Sequence, residues 1–198
     1  MFNHLRGRLV EKQPGLAVIE AGGVGYLLHV SLSTYEGLPG PGADCRLLTR
    51  LLVREDAQEL VGFGEAAERE VFDALLSVSG VGMRLALAVL SAMRPGELVE
   101  AVRREDLVTL RRVKGLGAKK AERVILELRG RIDELAAAGG PAAPARTPAA
   151  AADAAAAALV NLGLSRGEAE AAASAAEREL GPGAPLADLI RRALTHAR

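Results

Sequence analysis

The sequence has little of what several common kinds of site require. Its 198 residues include one cysteine, Cys45, and three widely separated histidines, His4, His29 and His196. A single cysteine cannot form an internal disulfide, and so few scattered ligands do not make a typical zinc module. Tryptophan is absent and aromatic residues are only 3% of the chain, so any core is mostly aliphatic. We expect no metal site, no cofactor and no large aromatic-lined pocket.

Charge of one sign and long apolar runs are also lacking. Lys and Arg together number 25, as do Asp and Glu, so the total charge does not indicate a nucleic-acid or membrane partner. The N-terminal sequence MFNHLRGRLVEK places charges where a signal peptide needs an unbroken apolar stretch, and no later stretch has bilayer length. We expect a soluble, cytoplasmic protein without a membrane partner.

Residues 1–64 have the pattern of short strands separated by turns. Apolar runs over residues 2–10, 16–19, 26–30, 47–53 and 60–63 alternate with glycine- and proline-rich turns at 14–15, 22–23 and 39–42. Five short strands in this length suit a small β-barrel. The OB-fold is the commonest candidate, and an SH3-like barrel remains open on this count.

The rest of the chain is predicted to be helical, with one interruption. Residues 65–140 have apolar residues at helical spacing, as at Val71, Leu75 and Val78. Residues 136–158 hold 15 alanines together with Gly139, Gly140 and three prolines, which predicts a flexible Ala/Pro linker over 141–152. Residues 153–198 have enough leucine for a very small helical bundle, marginal on its own and therefore suited to binding a partner.

An internal repeat lies within the helical segment. The sequences LLSVSGVGMRLALAVL (75–90) and LRRVKGLGAKKAERVI (110–125) align at an offset of 35 residues, and each predicts a helix, a Gly-apolar-Gly hairpin and a second helix. The glycines allow a sharp turn and a close approach to a ligand, and the following helix presents free N–H groups and its positive dipole end. This arrangement favours binding of phosphate.

The local charge supports phosphate binding at the second copy. Residues 103–131 hold ten basic and four acidic residues, whereas residues 65–102 hold three basic and six acidic ones. The first copy must therefore rely on its backbone and Arg84. A lone Gly-x-Gly is often only the end of one helix and the start of the next, but two copies at a fixed offset can grip both strands of a duplex.

This order of segments, with the motifs VREDAQ (53–58), GGVGY (22–26) and the AER that follows the second hairpin, resembles the RuvA family of Holliday-junction-binding proteins. The resemblance implies an OB-fold domain (1–64), an all-α tandem helix-hairpin-helix domain (65–140) and a three-helix, ubiquitin-associated-like domain (153–198). It also implies contacts to the DNA backbone from Gly80, Val81, Gly82, Arg84, Gly115, Leu116, Gly117, Lys119, Lys120 and Arg123. Met83 stands where the family commonly has proline and Ala118 where lysine is common, which could weaken these contacts.

The family also implies an assembly. Glu55 and Asp56 match its acidic pin, which in a homotetramer, or in an octamer of two tetramers, would repel duplex from the centre of a junction and guide separated strands. From the residues alone, this acidic pair would be a solvated loop. The tail would bind the RuvB hexameric ATPase, with Leu159, Leu162, Leu164 and Leu189 as candidate contacts, although a bundle with an unassigned partner also fits. The RuvC resolvase is a further implied partner.

No catalytic machinery is predicted. The phosphate-loop pattern G-x-x-x-x-G-K-[ST] does not occur, and the sequence offers no convincing triad or metal cluster. We therefore expect a non-catalytic subunit whose partner RuvB hydrolyses ATP during branch migration in recombination and repair. Two alternatives stay open at this point: a DNA repair enzyme such as a glycosylase or nuclease, and a protein adaptor whose hairpins are only structural.

Overall fold

The computed structural model describes residues 2–138, 148–161, 164–181 and 184–196. The chain divides into two compact units, Met1–Pro141 and Ala142–Arg198. Among the described residues, no helix combines the length and apolar character needed to cross a membrane.

The first unit begins with a closed five-stranded barrel. Its strands are β1 (His4–Gln13), β2 (Leu16–Ala21), β3 (Val24–Val30), β4 (Asp44–Val53) and β5 (Gln58–Phe63), with helix α1 (Leu32–Gly37) between β3 and β4. The strand order is β1-β2-β3-β5-β4, and β4 pairs back onto β1. The parallel pairing of β3 with β5 is the Greek-key crossing of the OB-fold, so the prediction of this fold is confirmed and the SH3-like alternative is excluded.

The alternation of apolar residues along the strands builds the interior of the barrel. Leu9, Ile19, Leu28 and Leu47 are each at most 2% exposed and pack together inside it. The pairing register of β1 shifts between Leu9 and Glu11, a bulge that bends the strand. This bend allows β1 to pair with β2 along one part of its length and with β4 along the other.

A group of helices completes the described part of the first unit. They are α2 (Ala66–Ser77), α3 (Met83–Ala92), α4 (Pro95–Arg103), α5 (Leu107–Arg111), α6 (Ala118–Leu128) and α7 (Ile132–Ala138), with a 3₁₀ turn at Arg129–Arg131. Their core extends into the barrel: Val61 and Phe63 of β5 are fully buried against it, and the rings of Phe63 and Phe72 lie 5.0 Å apart. The barrel interior and the helical core are therefore separate clusters, and the end of β5 belongs to the helical one.

The described residues of the second unit form a bundle of three helices, α8 (Pro148–Asn161), α9 (Arg166–Leu180) and α10 (Leu186–His196). Its core is built mainly from alanine, including the fully buried Ala155, Ala169 and Ala176, and from Leu159 and Leu189. Small side chains allow the three helices to pack closely. Ser165 and Glu168 form a capping box at the start of α9, which satisfies backbone N–H groups there.

The linker prediction needs one correction. Residues 148–152, predicted to be part of the flexible linker, belong to α8, while residues 141–147 lie outside the described part of the chain. The physical reason is that a run of alanines favours helix once no glycine interrupts it. Pro148 suits the first helical position, where no N–H partner is required.

Candidate nucleic-acid interface

The first hairpin joins α2 to α3 through a tight glycine turn. Gly80 has φ of +84°, a conformation that side chains other than glycine rarely adopt. Val81 is 6% exposed, and its N–H donates to the carbonyl of Val78 at 3.0 Å. The apolar residue of the turn therefore points into the core, while Gly80 and Gly82 stay exposed on the surface.

The second hairpin repeats this geometry between α5 and α6. Gly115 has φ of +91°, Leu116 is 2% exposed, and the Leu116 N–H donates to the carbonyl of Val113 at 3.0 Å. Gly117 is exposed and precedes the first residue of α6. The sequence repeat thus forms the same local structure twice.

The two hairpins pack against each other through equivalent positions. A Cβ placed on Gly115 would lie 3.4 Å from Cδ1 of Leu85, and one placed on Gly80 would lie 4.0 Å from Cε of Lys120. Leu85 and Lys120 are 35 residues apart, which is the offset of the repeat. Each positive-φ glycine therefore faces the helix of the other copy, and the structure places the two turns side by side, with their glycines exposed and Val81 and Leu116 buried.

Further contacts tie α6 to the first hairpin. Nη1 of Arg123 donates to the carbonyl of Ser79 at 3.4 Å, and the Ser79 N–H donates to Oε2 of Glu127 at 3.4 Å. Nε of Arg123 also lies 3.6 Å from Oε1 of Glu127. Arg123 is therefore partly neutralised by Glu127, and the pair holds the backbone of the first hairpin against α6.

Both helices that follow the hairpins begin with free backbone donors. Gly82 and Gly117 are the residues that cap α3 and α6, and neither has a side chain to accept hydrogen bonds from the first turn. The N–H groups of that turn also lack intrahelical partners. Together with the positive ends of the helix dipoles, they make two adjacent places where an anion is stabilised.

The predicted cations are exposed at these helix starts. Arg84, Lys119 and Lys120 lie in the first turns of α3 and α6, and within the described part of the chain none of the three has an ion pair. Arg111 and Lys114 are also exposed and flank the second hairpin, although the sequence indicated only their charge and not a role. Their position directly before the Gly-Leu-Gly turn is the signal that could have identified them.

The first residues of the two helices differ in environment. Met83 is 2% exposed and packs in the core, whereas Ala118, its equivalent in the second copy, is exposed. Met83 therefore contributes to packing and not to the exposed surface of the first hairpin. Ala118 leaves the start of α6 open, so the charge there comes from the following lysines.

The short helix before the second hairpin is held by an acidic cap. Oδ1 of Asp106 accepts from the Thr109 N–H at 3.0 Å, and Oδ2 accepts from the Thr109 hydroxyl at 2.6 Å. These hydrogen bonds, the side-chain one first, lower the pKa of Asp106 below its ordinary value, and the nearby Arg112 adds a smaller effect in the same direction. The cap fixes where α5 begins and hence where the second hairpin lies.

Glu55 and Asp56 are carried by the barrel and not by the helices. They lie at the tip of the β4–β5 connection, which is closed by a hydrogen bond of 2.8 Å from the Arg54 N–H to the carbonyl of Ala57. Both side chains are exposed, and neither forms an ion pair with any described residue. Two uncompensated carboxylates on a protruding turn repel phosphate.

The predicted partner contacts in the tail are corrected by the structure. Leu159 is 0% and Leu189 1% exposed, because both fill the core of the three-helix bundle, so neither can contact a partner while the bundle is folded. Leu164 is half-buried and Leu162 lies outside the described residues. Among the described side chains of α8, α9 and α10, the large apolar ones that are exposed are Val160, Leu180, Leu186 and Leu194.

Metal ligands are not gathered anywhere in the described ranges: no group of three or more His, Cys, Asp or Glu side chains there could hold an ion. Burial, together with the nearby Asp44 carboxylate, raises the pKa of the Cys45 thiol. The thiolate form, which is the nucleophile, is therefore disfavoured.

Comparison with known proteins adds three family matches along the chain. Residues 1–62 match the RuvA N terminal domain, residues 72–130 the SAM-like helix-hairpin-helix tandem, and residues 150–197 the RuvA C-terminal domain. The chain is 58% identical over 139 residues, 70% of each chain, to the Holliday junction branch migration complex subunit RuvA of Rubrobacter xylanophilus. It is 41% identical to the protein of that name from Chromobacterium violaceum, over 98% of this chain and 97% of the relative. The corresponding protein of Acidobacterium capsulatum is 42% identical over 98% of both chains.

Proposed function

The chain belongs to the RuvA family, and from that premise we propose that it binds four-way (Holliday) DNA junctions irrespective of base sequence and serves branch migration. The observation that carries the proposal is the paired hairpin surface. Two helix N-termini with free N–H groups lie side by side, and the exposed cations Arg84, Lys119 and Lys120 surround them. Such donors fit phosphate oxygens and do not read base edges.

Each hairpin takes one backbone segment of a duplex. Gly80, Val81 and Gly82 form the first contact and Gly115, Leu116 and Gly117 the second, with the apolar member of each set supporting the turn from within. Arg123 joins the site when phosphate competes with Glu127 for its guanidinium. Because both contacts are to the backbone, affinity depends strongly on salt and little on sequence.

Junction specificity arises from assembly. A homotetramer, alone or paired into an octamer, presents four hairpin pairs to four duplex arms and brings the acidic tips at Glu55 and Asp56 towards the centre. The carboxylates repel the phosphates of any strand that crosses there, so separated strands enter neighbouring arms. A four-way junction offers both duplex arms for the hairpin pairs and separated strands at its centre. A linear duplex offers only the duplex.

The subunit itself is not catalytic. It recruits the hexameric ATPase RuvB through the C-terminal bundle and works in the bacterial cytoplasm beside the RuvC resolvase. Since Leu159 and Leu189 are buried, the surface offered to RuvB is the exposed apolar set on α9 and α10, namely Leu180, Leu186 and Leu194. Leu180 also borders a shallow depression lined by Arg191 and Arg192, which form ion pairs with Asp188 and Glu179.

The test is a gel-shift titration of a synthetic four-way junction and a linear duplex with the same arm sequence, repeated across salt concentrations. We expect a strong preference for the junction that persists when the arm sequences are changed. Equal affinity for both would reduce the protein to a general duplex binder. Absence of salt-sensitive binding would refute the proposal.

A second experiment addresses the tail. Leu180→Asp with Leu194→Asp should abolish stimulation of RuvB-driven branch migration while junction affinity stays unchanged. Val160→Asp, at an exposed position on α8, is the matched control. Stimulation that survives the double substitution would refute the assigned surface.

A further inference from the structure

One buried carboxylate has no part in the DNA contacts described above. Glu68, in the first turn of α2, is only 5% exposed and accepts hydrogen bonds from the hydroxyls of Ser31 and Thr34 and, at 3.1 Å, from the Gly64 N–H. Ser31 and Thr34 are themselves buried and belong to the barrel segment that follows β3. A buried charge is tolerated where such donors surround it, so these residues form a defined polar cluster within an apolar interface.

The same barrel segment also holds the second helix of the first hairpin. The Leu32 N–H donates to Oγ of Ser91 at 2.9 Å, and the Ser33 hydroxyl donates to the carbonyl of Leu90 at 3.2 Å. Both acceptors lie at the end of α3, whose other end begins at the hairpin turn. Helix α1 is therefore bonded to α2 through Glu68 and to α3 directly, so it grips the two helices that flank the first hairpin.

Apolar contacts alone would not define the orientation of α2 and α3 relative to the barrel. The rings of Phe63 and Phe72 pack across the same boundary, and burial of apolar surface is not directional. Hydrogen bonds to a single buried carboxylate are directional. The carboxylate lies where the chain passes from β5 into α2.

We infer that Glu68 is a positioning residue that fixes the hairpin surface relative to the barrel and its acidic tip, and thereby sets the preference for junctions over duplex. The inference rests on the proposed function. A duplex needs only the hairpin pair, which is intact whatever its angle to the barrel. A junction needs hairpins and tips of several subunits in one arrangement, so only junction binding depends on that angle.

The test compares Glu68→Gln and Thr34→Val with the wild-type full-length chain. Glu68→Gln keeps the size of the side chain and removes the charge; Thr34→Val keeps the shape of its side chain and removes one donor. Glu70→Gln removes a charge from an exposed position on the same helix and is the matched control. Junction and duplex affinities are measured at one low salt concentration, below the melting temperature of each variant.

We expect duplex affinity within about twofold of wild type, and junction affinity lowered about tenfold if the competent orientation falls to roughly a tenth of the population. The control should match the wild type in both. If folded Glu68→Gln and Thr34→Val keep the wild-type ratio of junction affinity to duplex affinity, whether both affinities are unchanged or both fall equally, the inference is overturned. A wild-type protein without junction preference would instead overturn the proposed function, and this result is read before any variant is made.

Discussion

The glycines of the second hairpin allow the requirement for a turn to be separated from the requirement for close DNA approach. Gly115 has φ of +91°, so an alanine there is strained whatever space surrounds it. Gly117 has φ of −70° and ψ of 170°, which any residue adopts, and a Cβ there would meet no atom within 4 Å. Gly115→Ala and Gly117→Ala therefore perturb different properties of the same turn.

The expected effects on stability differ. For Gly115→Ala, the positive φ costs about 1–2 kcal/mol, and the Leu85 methyl at 3.4 Å from the new Cβ must also give way slightly. For the unit Met1–Pro141, with an unfolding entropy of about 2.1 cal/mol/K per residue, this corresponds to a melting temperature lower by roughly 3–7 °C. For Gly117→Ala, a less flexible unfolded chain contributes about 0.4–1 kcal/mol, and a poorer residue at the helix cap costs a similar amount, about 0.5–1 kcal/mol. The net change is close to zero.

Gly117→Ala should weaken DNA binding although it leaves the stability of the fold nearly unchanged. A Cβ at this position stands between the free N–H groups and a phosphate, and the loss of one hydrogen bond to a charged group costs about 1.5–3 kcal/mol, or roughly 10- to 150-fold in affinity. The salt slope should stay unchanged because no charge is removed. Calorimetry measures the stability of each variant, and a junction titration across salt measures its affinity and salt slope. Full affinity in a stable Gly117→Ala protein would refute a close approach of this backbone to DNA.

Three further predictions concern charge. Lys119→Ala with Lys120→Ala should lower the salt slope of junction binding by up to about two, one for each phosphate that the protein no longer neutralises, and an unchanged slope would contradict a role for these lysines at phosphate. Glu55→Gln with Asp56→Asn should preserve or strengthen binding while relaxing the preference for junction over duplex in a competition gel-shift; abolished binding would contradict repulsion at the tip. The pKa of Asp106 is lowered in the fold, so its ionised carboxylate stabilises the folded state. This stabilisation is complete at pH values above the ordinary aspartate pKa of about 3.9 and is lost as the pH falls through the lowered pKa. Melts of the wild type and Asp106→Asn should therefore converge in acid, and a difference that is constant down to about pH 2 would contradict this account.

Much of the fold followed from patterns that act over short distances. Alternating apolar residues and glycine turns predicted five strands, and the Gly-x-Gly repeat predicted two hairpins, because periodicity and positive φ are local properties. The closure of the barrel pairs residues of β1 and β4 that are far apart in sequence, such as Leu5 and Leu47. Phe63 and Phe72 are close in sequence, but they lie on a strand and on a helix whose packing together is a tertiary property. Neither arrangement leaves a local signature, so the burial of the end of β5 in the helical core was not predicted.

The site was predicted unevenly for a related reason. The two hairpin turns were located because their glycines mark them in the sequence, and the assignment of DNA contacts to the residues around them stays a prediction. Leu159 and Leu189 were chosen as leucines in a short tail, where spacing does not distinguish a core face from a surface. In a bundle whose core is mostly alanine, these leucines fill the interior. The buried hydrogen bonds of Glu68 were also missed, because a charged residue near a helix start resembles an ordinary dipole-stabilising residue until its donors are seen.

The packing of Leu85 on Gly115 and of Lys120 beside Gly80 has a consequence for the electrostatics of the first hairpin. Residues 65–102 hold only three basic residues against six acidic ones, so the first copy supplies little positive charge itself. Lys120 of the second copy brings its side chain to the first turn, whereas Leu85, its equivalent in the first copy, offers only an aliphatic side chain to the second turn. The positive charge beside the first hairpin therefore depends on the second, and a substitution at Lys120 changes both.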